Sequence, residues 1–160
     1  MNKRNAILNH PVFRQCCREI AAEEQGRIFC RHDMAHFLDV ARLMMILNEK
    51  ESLGIDEEII YAAALVHDVG RHIQYRYGIG HEISGALIAP GILHDCGFGQ
   101  AEVRTIVQAI MKHRSRAAKR EKNLSGLLYR ADKMSRACFA CPAAKLCNWP
   151  ADKKNLIINY

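Results

Sequence analysis

Asp56-Glu57-Glu58-Ile59-Ile60-Tyr61-Ala62-Ala63-Ala64-Leu65-Val66-His67-Asp68-Val69-Gly70 is the stretch on which the fold turns. Asp56 is a good helix N-cap, and Glu57 and Glu58 put negative charge where the helix dipole is positive. From Ile59 to Val66 the segment is apolar nearly all round, which predicts a central buried helix rather than an amphipathic surface one. Gly70 ends it. His67 and Asp68 stand where the apolar run stops. A carboxylate there is costly unless it is paired or bound to a cation. It gains nothing from the dipole, whose C-terminal end is negative. Something positive is expected beside Asp68.

On both sides of this helix the apolar spacing stays helical. Pro11 suits the first position of a helix to about Glu24, with Val12, Cys16, Ile20 and Ala21 on one face. Asp33 can cap a helix from about Met34 to Lys50, where His36, Val40, Leu43, Met44 and Leu47 recur at steps of three and four. Arg71 to Gly80, rich in Tyr and Gly, reads as a loop. Further helices are expected over about His81 to Asp95, broken near Pro90-Gly91, over about Gln100 to His113, and over about Leu124 to Cys138. No alternating strand pattern or internal repeat interrupts them. The expected fold class is all-α: one domain over residues 1–160, a bundle of about six to seven helices, with a Cys-rich C-terminal segment at 138–150 packed on it.

The chain has 160 residues, 49% of them apolar and 25% charged, near the globular average. That excludes a disordered tail, a collagen-like fibre and a low-complexity linker. Only 7% are aromatic, and Ala, Leu and Ile supply most of the apolar content, which favours helices. The 23 basic and 17 acidic side chains give +6, which suits anionic partners such as phosphates. Met1 to Gln25 is rich in charge and lacks a signal-peptide core. The longest apolar run, Ile59 to Val66, falls far short of the ~20 residues of a membrane span. A cytoplasmic protein without membrane partners is expected, its cysteines reduced or metal-bound.

Two more residues belong with His67 and Asp68. His36 shares a helix face with Val40 and Leu43, and Asp132 is similarly placed within Leu127 to Asp132, so three helices each bring an imidazole or carboxylate inward. A single core-facing imidazole is ordinarily a hydrogen-bonded core residue, and a lone internal Asp an ion-pair partner or cap. The adjacent His67-Asp68 pair is harder to explain that way. Mixed imidazole and carboxylate ligation suits Fe, Mn or Zn.

The order His36…His67-Asp68…Asp132 resembles the HD-domain metal-dependent phosphohydrolase superfamily. The contexts match as well: His-x-x-x-Val-Ala at His36 to Ala41, Ala-Leu-Val-His-Asp-Val-Gly at Ala64 to Gly70, and Tyr-Arg-Ala-Asp-Lys at Tyr129 to Lys133. The resemblance runs from about Cys30 to Arg136. It implies that His36, His67, Asp68 and Asp132 bind a divalent metal. His81 and His113 stand where a subgroup, which includes symmetrical diadenosine tetraphosphate hydrolases, has extra histidines that often hold a second metal. Asp68 is then the natural bridging ligand, for one or two ions in all. His32 is expected behind the ligands, and His10, His72 and His94 on the surface or in loops.

The implied chemistry is attack of a metal-activated water on a phosphoester or phosphoanhydride, with a nucleotide as the expected small-molecule substrate. Candidate phosphate contacts are Arg31, Arg71, Lys112, Arg114 and Lys133, each within a few residues of a candidate ligand, although most Arg and Lys are solvated surface charges. Asp68, Arg71 and Lys133 are the expected catalytic residues. No Walker loop, G-x-G-x-x-G or G-x-S-x-G competes. The alternatives are a catalytically silent HD protein that binds metal and nucleotide, and a nucleic-acid-binding module built on the basic tract Lys112 to Lys122. That tract lacks interleaved aromatics, which makes nucleic acid the weaker partner. Oligomeric state is open. Cys138-x2-Cys141-x5-Cys147 forms a second candidate site, for Zn or an iron–sulfur cluster, with Cys16, Cys17 or Cys30 as a fourth ligand. Buried free thiols are the plain alternative.

Overall fold

Side-chain caps set the register of the helices. Asn2, His10, Asp33, Asp56 and Asn123 each accept a hydrogen bond from a backbone N–H in the first turn that follows. The computed structural model describes residues 2–160, and its regular structure is helical. Eight α-helices run α1 Lys3–Asn9, α2 Pro11–Glu23, α3 Met34–Lys50, α4 Glu57–Val66, α5 Arg71–Tyr77, α6 His81–Asp95, α7 Gln100–Lys112 and α8 Leu124–Met134. Short 3-10 turns cover Arg116–Arg120, Cys138–Ala140 and Ala151–Lys153. The fold is all-α, with no strand among the described residues.

The apolar helix α4 lies at the centre, with Ile59, Ile60 and Ala62 to Val66 all buried. It packs against α3, α7 and α1, while α8 closes over α3 and α7, and α6 lies along α7. Phe37, Val40, Leu65, Ile106, Ile110, Leu127 and Leu128 join one continuous core with it. Small side chains at Ala62, Ala63 and Ala64 let neighbouring backbones approach α4. Its C-terminal end, His67-Asp68, therefore emerges deep in the protein rather than at its rim.

Several local expectations need correction. Arg71 to Gly80 is not a loop: it opens with helix α5, which ends at Gly78 in the left-handed region (φ 72°). Tyr and Gly composition suggested a loop, but packing against α2 and α6 outweighs weak intrinsic propensity. Helix α6 runs unbroken through Pro90. The ring deletes one helical hydrogen bond, yet Ala89, Ile92 and Leu93 on either side are buried and hold the axis. Helix α8 stops at Met134 rather than near Cys138, with the Ser135 hydroxyl donating to the Asp132 carbonyl (2.8 Å). Helix α1 had no counterpart in the periodicity. His72 is buried, its Nε2 3.4 Å from Glu19, rather than in a surface loop.

Gly70 makes the turn after α4 possible. A Cβ there would lie 2.4 Å from both the Gly85 nitrogen and the Ser84 Oγ of α6. Gly91, in the interior of α6, has nothing within 4 Å of such a Cβ. Gly70→Ala is expected to lower the thermal midpoint by ~3–10 °C through overpacking of about 1–3 kcal/mol. Gly91→Ala should leave it unchanged or slightly higher. Equal effects, measured by circular dichroism melting, would contradict the close approach of the turn to α6.

Candidate metal centre

Five helices deliver their polar groups to one buried point. His36 comes from the first turn of α3, His67 and Asp68 from the end of α4, and His81 from the first residue of α6. His113 caps α7, and Asp132 lies in α8; all six are buried. Their ligand atoms form two groups, His36–His67–Asp132 and Asp68–His81–His113, each within 4.8 Å. Asp68 stands between the two. Its Oδ2 lies 3.2 Å from His67 Nε2 and 3.6 Å from His36 Nε2. Its Oδ1 lies 3.2 Å from His81 Nε2 and 3.8 Å from His113 Nε2.

The imidazoles are oriented from behind. His67 Nδ1 lies 2.7 Å from the Ala64 carbonyl and His113 Nδ1 2.6 Å from the Ile110 carbonyl. A carbonyl can only accept, so both rings carry the proton on Nδ1 and turn a lone pair on Nε2 inward. His36 Nδ1 meets Ser135 Oγ at 3.2 Å; since that hydroxyl donates to the Asp132 carbonyl, it accepts from His36. His81 Nδ1 faces Gln74 Oε1, which also accepts from the His81 backbone N–H at 3.2 Å. His32 Nδ1 pairs with Glu24, whose carboxylate also accepts from the His32 backbone N–H (2.8 Å) and the Tyr75 hydroxyl (2.5 Å).

Charge is distributed to match. Burial pushes His36 and His113 down to about 4 and His81 to about 2, and lowers His32, so these rings are neutral ligand-type imidazoles at pH 7. For His67, burial is outweighed by the Asp68 and Asp132 carboxylates, and the ring is raised. Burial would raise Asp68, but His67, Arg71 and His32 hold it well below the usual carboxylate range. Asp132 is kept ionised against burial by Lys133, Arg136 and neighbouring imidazoles. Burial likewise opposes ionisation of Glu24, and the His32 contacts bring it to about 2.

Two atoms at the heart of this arrangement, His67 Nε2 and Asp68 Oδ1, are buried without a hydrogen-bond partner among the described residues. Orphans of this kind are costly and rare in a protein interior. A cation among imidazole lone pairs and carboxylates would satisfy both, so the residues fit a divalent metal.

The candidate phosphate contacts separate clearly. Arg71 Nη2 donates to His32 Nε2, and Nη1 lies 3.0 Å from His81 Nδ1. Lys133 Nζ reaches Asp132 Oδ2 at 2.5 Å. Arg31 is exposed, Lys112 is paired with Glu121 (2.9 Å), and Arg114 with Glu82 (2.8 Å). Sequence reasoning missed Arg136, whose Nη2 donates to His36 Nε2 (3.0 Å) and lies 3.8 Å from Asp132 Oδ1. The available signal was its position four residues after Asp132. Glu24, Gln74 and Tyr75 were missed too: Gln74 and Tyr75 lay in the segment read as a loop, and Glu24 carries no local signal. His10 caps α2 and meets Asp95 at 3.2 Å, and His94 is exposed. Cys138, Cys141 and Cys147 belong to neither group; they line a separate cavity that contains Cys30.

The HD domain family model matches residues 34–137. The chain belongs to the HD-domain family. It is 42% identical over 160 residues, the whole of both chains, to an uncharacterised protein of Clostridium beijerinckii. A crystal structure of a "predicted HD superfamily hydrolase" from an uncultured Thermotogales bacterium is similar in fold. Its TM-score is 0.66 at 23% identity, over 94% of this chain and 80% of that one. HD domains bind divalent metals, and family membership supports a metal-dependent phosphohydrolase in general. No helix among the described residues is long and apolar enough to cross a membrane.

Two outcomes are expected. Asp68→Ala should lose most of the metal, measured by elemental emission, that is not accounted for by labile sulfide, whereas His94→Ala should retain it; equal content of that metal would remove Asp68 from the centre. Chelator-treated protein should melt at a lower temperature at pH 5 than at pH 7. Unfolded histidines take up protons near 6.5 whereas folded His36 and His113 wait until about 4, so the unfolded state binds more protons in that window. His81 and His32 act in the same direction and His67 in the opposite one. A midpoint that is flat or rises toward pH 5 would contradict these assignments.

Proposed function

We propose that this chain hydrolyses a phosphoester or phosphoanhydride with divalent metal at the His/Asp centre, and that its substrate is a nucleotide. The observation that carries this reading is the pair of ligand groups shared through Asp68. His36, His67 and Asp132 would hold one ion and Asp68, His81 and His113 a second. Bound there, divalent ions supply Lewis acidity toward a phosphoryl oxygen and a water acidic enough to ionise near neutral pH.

The chain's own residues prepare the rest. Asp68 and Asp132 are held as carboxylates, and the Nδ1 contacts keep the imidazoles from rotating. Arg71 and Arg136 both line the cavity beside the centre, where a guanidinium suits a phosphoryl oxygen. His32, outside both groups, is held by Glu24 through Nδ1 and accepts from Arg71 at Nε2, which positions the Arg71 guanidinium beside Asp68.

Two cavities support a phosphate-bearing substrate with an aromatic end. One, of about 440 Å³, has His32, Arg71 and Arg136 on its wall together with Phe29 and Trp149. Stacking surfaces beside arginines suit a base joined to phosphates. The other, of about 280 Å³, is lined by Lys133, Arg116, Lys119, Arg130, Lys153 and Lys154 and suits further phosphates. The basic tract is partly neutralised, since Lys112 pairs with Glu121 and Arg116 with Asp152 (2.7 Å). This weakens the case for a nucleic-acid surface.

The test is release of phosphate from nucleoside mono-, di- and triphosphates and dinucleoside polyphosphates, before and after reloading chelated protein with Mn, Fe or Zn. Metal-dependent turnover is expected, with Arg71→Ala lowering kcat/KM by about 10²–10³-fold. Fully loaded protein that binds nucleotides but turns none over would establish the silent binder instead.

A further inference from the structure

The seven cysteines are free thiols. Cys16 and Cys17 lie in α2 and Cys96 caps α6. The other four, Cys30, Cys138, Cys141 and Cys147, all line the cavity of about 440 Å³. Cys30 comes from the connection between α2 and α3, and the other three from the segment after α8. The fold thus brings the fourth thiol to the Cys138-x2-Cys141-x5-Cys147 run from more than a hundred residues away.

The segment carrying three of these thiols has almost no core. From 137 to 160 the only buried residue is Ala143, while Leu146, Leu156, Ile157 and Ile158 are exposed. Its regular structure is two three-residue 3-10 turns. A few hydrogen bonds tie it down, among them Phe139 N to the Asn155 carbonyl (3.1 Å) and Asn155 Nδ2 to the Met134 carbonyl (2.8 Å). A short segment that buries so little apolar surface ordinarily needs a disulfide or metal staple. These thiols form no disulfide.

Zinc and a cluster ask for different sulfur spacings. Zinc bound at about 2.3 Å by four thiolates would draw the sulfurs to ~3.8 Å from one another. Among the described residues no three of these sulfurs lie within 4.8 Å. The four cysteines line one cavity, and four cysteines are the ligand set of a cubane. Arg27, Arg71, Arg136 and Lys154 line the same cavity, positive charge that offsets four thiolates. Burial pushes the Cys30 thiol up, as Cys138 and Cys141 also do, while Arg136 opposes them.

We propose that Cys30, Cys138, Cys141 and Cys147 hold a [4Fe–4S]-class iron–sulfur cluster, which pins the C-terminal segment to the α2–α3 connection beside the His/Asp centre. Each thiol loses its proton on binding, and the iron and sulfide come from outside the chain. The site shares its cavity, Arg71 and Arg136 with the nucleotide reading, but it is tested by labile sulfide rather than by turnover, so either can fail without the other.

Full-length protein purified without oxygen is assayed for iron, acid-labile sulfide and the broad visible charge-transfer band, alongside Asp68→Ala. About four iron and about four sulfide per chain are expected. The sulfide should persist in Asp68→Ala, which separates it from iron at the His/Asp centre. Cys30→Ala and Cys147→Ala should each lose the band and most of the sulfide while keeping the helical circular dichroism signal, and trypsin should then cut faster at Lys145 and Lys153. Cys96→Ala should keep all of them. Zinc without labile sulfide would overturn the proposal. So would wild-type protein that takes up no sulfide on anaerobic reconstitution, or a Cys30→Ala variant with its sulfide intact.

Discussion

Burial of the Asp68 carboxylate is the constraint around which this structure is built. An ion withdrawn from water inside a helical core is tolerated only if opposite charge and hydrogen-bond donors or metal surround it. His67, His36, His81 and His113 approach it from four helices, and Arg71 reinforces its ionised state. A second carboxylate, Asp132, is held in the same region by Lys133 and Arg136. Helix α4 has to be apolar on every side because its role is to carry His67-Asp68 to the middle of the protein.

The backbone does much of the orienting. His67 and His113 each terminate or cap a helix and bond back to a carbonyl three residues earlier, in the last turn. Each contact fixes a tautomer and aims a lone pair, and the Ile110 carbonyl accepts from the His113 backbone N–H as well (3.4 Å). His32 is held instead by Glu24, which with Tyr75 ties α2 and α5 to the rim of the centre. Arg71 and Arg136 occupy a middle position. Each contacts a centre imidazole and lines the cavity toward the C-terminal segment. The His/Asp centre and the thiol-lined cavity therefore share a wall.

Much of this was legible in the chain itself. The all-apolar run before His67-Asp68, the i, i+3, i+4 spacing around His36, and Asp132 at the matching place in α8 depend only on neighbours in sequence, and short-range patterns survive into the fold. Arg71 and Lys133, singled out because each adjoins a candidate ligand, contact His32, His81 and Asp132. Arg31, Lys112 and Arg114 adjoin ligands as well, yet side chains that close in sequence can leave a helix in different directions. Helix α5 and the unbroken α6 were hidden for another reason: packing against α2, α6 and α7 outweighed the local preferences of a Tyr- and Gly-rich stretch and of Pro90.

By itself, the sequence determined the helical class, the central helix, and the residue types that would have to meet in the interior, because periodicity and the cost of buried charge are local properties. Only the tertiary structure decided that Asp68 faces both ligand groups, that Arg136 and Glu24 belong to the centre, and that Cys30 joins the three C-terminal thiols. Each of those depends on residues far apart in the chain coming within a few ångströms, and no local pattern encodes that meeting.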